Sequence, residues 1–206
     1  MLTLRAASVV SQGKALANPY LSERLADRTF GDWTISAQAM NLLEQEIRAS
    51  PPRSVLEFGS GLSTACLARY MAENAPSSRR LAVVSVEENA DFRAEARALV
   101  AELGLDEFAA IHHAPLVRRN VAGRSINAYD LPADVLAELE AEPADLVVLH
   151  TVLPLLPGGF RFYLDDALSD SALEYARLWA ELPDVEVAGV AMVGHGVLVG
   201  DYRPPL

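Results

Sequence analysis

Short apolar runs alternate with longer stretches of helical periodicity along most of this chain. Residues 55–58, 81–86, 108–112, 145–150 and 160–164 read as strands. Leu146-Val147-Val148-Leu149 is apolar on both faces, as a buried parallel strand is. Between them, apolar residues recur every three or four positions, the mark of a helix with one buried face. Met40, Leu43 and Ile47 form the first such face, behind a cap at Thr34 or Ser36 and before the stop at Ser50-Pro51-Pro52. Residues 63–74 offer Ala65, Leu67, Ala68 and Met71. Residues 89–103 set Phe92, Ala96, Leu99, Val100 and Leu103 on one side, with Gly104 as cap. Pro132 opens a helix with Val135, Leu136 and Leu139 inward, and a last helix carries Leu173, Leu178, Trp179 and Leu182. Residues 185–192 and 196–202 pair around Gly194-His195-Gly196. This alternation predicts an α/β fold: a doubly wound, mostly parallel seven-stranded sheet with a C-terminal antiparallel hairpin.

Three stretches fit the pattern less well. Residues 1–33 show only a weak stripe (Leu4, Ser8, Val9, Leu16). They are expected to form an extension that caps a ligand site or packs in a homodimer, with the main domain spanning 34–206. Residues 117–130 are polar and irregular, with room for a short extra hairpin. Only nine residues, 151–159, follow His150 before the next strand, and they include Pro154 and Pro157. A parallel crossover normally needs about a dozen or more. The crossover is therefore degenerate, the topology differs, or the backbone breaks at His150–Thr151; the last is the favoured expectation.

The most informative stretch is Ser54-Val55-Leu56-Glu57-Phe58-Gly59-Ser60-Gly61-Leu62-Ser63-Thr64. A strand passes through a glycine turn into a helix, so a ligand can approach the backbone closely. The free N–H groups at the helix start favour a carboxylate or other anion. Glu57, two residues before Gly59, would repel a pyrophosphate and attract a cation. A ligand bearing both charges fits, which points to S-adenosylmethionine. Glu87 and Glu88 end the second strand, where an acid can accept hydrogen bonds from ribose hydroxyls. They could equally begin the next helix, where acids favour the dipole.

Composition narrows the partners. Seventeen basic residues against 28 acidic give a net charge of −11. That balance argues against nucleic acid and against an anionic membrane surface. A single cysteine, Cys66, suits a reducing cytoplasm. A hydrophobic content of 51% is enough for a well-filled core.

Taken in order, Glu57 through Thr64, Ser85-Val86-Glu87, His113-Ala114-Pro115-Leu116, Asp145 through Leu149, and Leu156-Pro157-Gly158-Gly159 through Leu164-Asp165-Asp166 resemble the class I S-adenosylmethionine-dependent methyltransferases. The resemblance spans roughly residues 34–202 and is greatest to bacterial small-molecule O-methyltransferases. It implies that Glu57, Gly59, Ser60 and Gly61 hold the methionine part, assisted by Ser63 and Thr64. Glu87, with Glu88 second, would hold the ribose, and His113 or Ala114 would lie near the adenine. Some family members hold a divalent metal with acids after the fourth and fifth strands. Asp165 and Asp166 fit the second place, while His150 stands where an aspartate is usual. His150 and Asp165 are the candidate catalytic groups. A small hydroxylated molecule is the implied acceptor. Two other readings compete: an NAD-dependent oxidoreductase, and a non-catalytic binding protein of the same fold. Thr64 in the third glycine position counts against the first of these.

Overall fold

The computed structural model describes residues 35–74, 83–121, 124–149, 158–169, 172–173, 176–177, 179, 182, 184–192 and 194–203. Ser36 caps the first helix, α1 (Ala37–Ala49), by accepting the Ala39 N–H at 3.1 Å. There follow β1 (Val55–Phe58), α2 (Leu62–Asn74), β2 (Val83–Glu87), α3 (Ala90–Glu102) and β3 (Ala109–His113). Strands β4 (Leu116–Val121) and β5 (Arg124–Tyr129) form the extra hairpin as a separate two-stranded sheet. Then come α4 (Ala133–Ala141), β6 (Leu146–Leu149), β7 (Phe160–Leu164), β8 (Val185–Ala191) and β9 (Val197–Tyr202). Residues 172–173, 176–177 and 179 between β7 and β8 are helical.

The main sheet has the order β3-β2-β1-β6-β7-β9-β8. Its first five strands are parallel, and β9 runs antiparallel to both β7 and β8. The chain leaves β1 in one direction to β2 and β3, and later builds β6 and β7 on its other side. The switch point, where open α/β sheets take their ligands, lies between the carboxyl ends of β1 and β6. Parallel pairing of β6 with β7, Leu146 opposite Arg161, rules out a different topology there. Residues 150–157 lie outside the described residues, and with them His150, Thr151 and the expected break.

Side chains alternate between two buried layers. Val55, Val83, Leu146, Val148 and Tyr163 face α1, α2 and α3. Leu56, Phe58, Val86, Val147 and Phe162 face α4 and Trp179 on the other side. The Tyr163 hydroxyl donates to the Ala39 carbonyl, tying β7 to α1. At the amino ends of the strands, Asp145 accepts from the Arg53 backbone N–H at 2.7 Å and from its guanidinium at 2.9 and 3.0 Å.

Three expected core positions are corrected. Phe92 is 48% exposed, because the first turn of α3 begins at the sheet's carboxyl edge; Ala96, Leu99 and Val100 do the packing. Leu136 is 37% exposed, since Val135 and Leu139 define the buried face of α4. Leu182, expected on the core face of the last helix, lies in a bend and is 41% exposed. Among the described residues, no helix is long and apolar enough to cross a membrane.

Candidate functional site

Gly59 has φ 89°, a left-handed conformation that favours glycine, and its N–H donates to the Val86 carbonyl at 2.8 Å. The turn therefore bends sharply over the end of β2. A Cβ on Gly61 would meet nothing within 4 Å, so that side of the turn opens outward.

Glu57 lies beneath the turn with no exposed surface. Its Oε2 accepts from Thr64 and, at 2.8 Å, from Ser85. The Thr64 Oγ1 in turn accepts the Gly61 N–H at 2.9 Å. The acid thus braces the turn through a hydroxyl. Its Oε1 is buried and has no hydrogen-bond partner among the described residues. Burial pushes the carboxyl up to about 7, against the Ser63, Thr64 and Ser85 hydroxyls that hold it down; nearby Glu87 adds to the rise. A buried acid with an orphaned oxygen is stabilised by a cation or N–H donor brought to it.

Glu87 spans the same turn from β2. One carboxylate oxygen accepts the Ser60 N–H at 2.9 Å and the other the Asn89 N–H at 2.8 Å. Lone pairs remain on both oxygens for a hydroxylated ligand. Glu88 is exposed, so Glu87 is the acid built into the turn. Ser60 keeps its Oγ buried without a hydrogen-bond partner among the described residues. His113 pairs with Glu87 in the sheet register, and its Nδ1 lies 3.2 Å from the Glu87 carbonyl oxygen. Ala114 is fully buried and donates its N–H to the same carbonyl at 2.9 Å, which leaves the exposed His113 as the outward group.

At the end of β7, Asp165 is 3% exposed and its Oδ1 has no hydrogen-bond partner among the described residues. Burial raises its carboxyl to about 6, opposed by a backbone hydrogen bond from Asp166. Asp166 has φ 54° and meets His195 of the β8–β9 turn, Oδ1 to Nδ1, at 3.1 Å. Periodicity left His195 in a glycine hairpin; only antiparallel pairing of β9 with β7 brings it here. Among the described residues, no three His, Cys, Asp or Glu side chains converge as a metal ion would require. His150 lies outside them.

This architecture recurs in solved structures. An O-methyltransferase from Bacillus cereus in complex with SAH superposes with TM-score 0.59 at 18% identity, covering 89% of this chain and 96% of that one. The fold is that of the class I S-adenosylmethionine-dependent methyltransferases. The O-methyltransferase TomG from Streptomyces achromogenes, which is involved in tomaymycin synthesis and was solved with SAM, gives 0.58 at 21%, covering 94% and 91%. Cofactor-bound Rv0187 from MTB gives 0.62 at 20%, covering 97% and 94%. No family model and no curated protein sequence matches this chain. The shared fold accounts for the strand order, with its switch point between β1 and β6, and for the closing hairpin.

Proposed function

We propose that this protein transfers the methyl group of S-adenosylmethionine to a hydroxyl oxygen of a small molecule. The orphaned carboxylate oxygen of Glu57, buried beneath the glycine turn, carries the reading. It suits the ammonium of a methionine moiety and would repel a dinucleotide pyrophosphate. The outward-open turn at Gly61 leaves backbone room for the same moiety, and Glu87 supplies acceptors for ribose hydroxyls. The SAM- and SAH-bound O-methyltransferases of the same fold support the choice of ligand and of oxygen as nucleophile.

The bound sulfonium supplies an electrophilic methyl group. The chain's part is to hold that ligand, align the acceptor and exclude water. Asp165 is the group proposed to take the hydroxyl proton, being buried, partly unpartnered and raised toward neutrality.

Titration calorimetry with S-adenosylhomocysteine and with NADH tests the reading. We expect S-adenosylhomocysteine to bind, and Glu57→Gln to weaken it by about ten- to a hundredfold, the worth of a charge-assisted hydrogen bond. Binding of NADH alone would replace this reading with the oxidoreductase one.

A further inference from the structure

The β4–β5 hairpin is an addition to the main sheet. It leaves directly after β3 and returns at Asp130, whose N–H donates to the Pro115 carbonyl at 2.9 Å. Its residues 116–129 include Arg118, Arg119 and Arg124 and no acidic residue, within a chain of net charge −11. Directly opposed residues of an antiparallel pair share a face. One face therefore carries Leu116 with Tyr129, then Arg118 with Asn127, then Asn120 with Ser125. The other carries Val117 with Ala128 and Arg119 with Ile126. The two arginines on β4 differ in their engagements. Arg119 is paired with Asp130. Arg118 is exposed and makes no hydrogen bond or ion pair among the described residues. Asn120, Ser125 and Asn127 are exposed as well, with no side-chain hydrogen bonds among the described residues.

The root of this polar face is fixed at the ligand edge of the sheet. The Tyr129 ring lies 5.3 Å from that of Phe58, the residue immediately before Gly59. The strip from Tyr129 through Arg118–Asn127 to Asn120–Ser125 thus starts beside the residue that precedes the glycine turn. Acids line the turn itself (Glu57 and Glu87), whereas a cation and neutral hydrogen-bonding groups line the strip. Charge is divided accordingly: the acidic part suits a cationic methyl donor, and the strip suits an anion.

We propose that this hairpin face binds the acceptor, and that the acceptor is a hydroxylated molecule bearing a carboxylate or phosphate held by Arg118. The proposal rests on the methyltransferase reading and adds the chemical class of its substrate. Arg118 offers a planar fork to two oxygens of the anion. Asn120, Ser125 and Asn127 offer hydrogen bonds to hydroxyls beside it.

The test uses the full chain saturated with S-adenosylhomocysteine. The probes are aromatic and sugar hydroxy acids, each paired with its neutral primary amide, and sugar phosphates paired with the free sugars. Affinity is read by calorimetry. At least one anion is expected to bind about ten- to a hundredfold more tightly than its neutral partner. Arg118→Ala should erase that preference, Arg118→Lys should restore part of it, and both should retain wild-type affinity for S-adenosylhomocysteine. Equal binding of all pairs, or a preference that survives Arg118→Ala, overturns the substrate class while the methyltransferase reading stands. Loss of S-adenosylhomocysteine affinity in Arg118→Ala would assign the arginine to the methyl donor and overturn the proposal. Failure of the wild-type chain to bind S-adenosylhomocysteine removes both readings.

Discussion

The carboxyl ends of β1 and β7 each present a buried acid with one unpartnered oxygen, yet they are built differently. Glu57 is enclosed by Thr64 and Ser85, and its turn is held from the other side by Glu87. Backbone and side chains from two strands and a helix meet there. Asp165 adjoins a tight turn at Asp166, whose contact with His195 leaves the imidazole side chain 79% exposed. The first end is closed by side-chain hydrogen bonds on both sides of the turn. The second is held to the β8–β9 turn by backbone hydrogen bonds from Ala167 and Leu168, and its one side-chain contact, Asp166 with His195, lies at the surface.

The sharpest way to break the comparison is Asp165→Asn. If the two ends act separately, turnover falls about 10²- to 10⁴-fold, the usual share of a general base. S-adenosylhomocysteine affinity by calorimetry should stay within about twofold. Turnover within about threefold of wild type would remove the proton-transfer role.

A second experiment compares the stability of wild type and Glu57→Gln across pH. The folded carboxyl is raised from 4.5 to about 7, so the folded state holds the proton more tightly than the unfolded chain. The stability this contributes is fully present below about pH 4.5 and declines as pH rises through 7. The loss is on the order of 3 kcal/mol relative to the glutamine variant. Denaturant titrations at several pH values would show it, and a difference between the two proteins that does not vary with pH would contradict the buried-acid geometry. The smallest effect belongs to His195→Ala. Its exposed pair with Asp166 is worth about 0–1 kcal/mol, so unfolding midpoints should barely move. A large drop would show that the second end is braced as firmly as the first.

Much of the scaffold was legible from residue order, because buried parallel strands and one-faced helices leave distinct apolar periods. The central strands fell where the pattern put them, as did the Ser36 cap and the extra hairpin. The place of Glu57 at the glycine turn was legible too, since it stands two residues before Gly59 on an apolar strand. The Asp166–His195 contact was not. Its partners lie 29 residues apart, and only the pairing of β7 with β9 joins them. The polar face of the hairpin was hidden for a related reason. Arg118 and Arg119 look equivalent in sequence, and cross-strand register alone gives one to Asp130 and the other to the Tyr129 face. Phe92 failed in the opposite direction: its spacing fits the core stripe, but spacing does not say where the sheet ends.

The Arg53–Asp145 clamp sits at the far end of the strands from any chemistry, yet alignment depends on what happens there. Parallel neighbours have no hairpin to set their offset, and β1 and β6 are joined through almost ninety residues of chain. The three hydrogen bonds to Asp145 act as a zero mark from which both strands are measured. In the register beyond it, Glu57 lies opposite Val148 and Phe58 opposite Leu149, at the ligand edge. A slip of one residue would reverse every side chain of one strand relative to the other. The accuracy of the switch-point site is thus calibrated from the opposite rim, as a ruler is read from its origin.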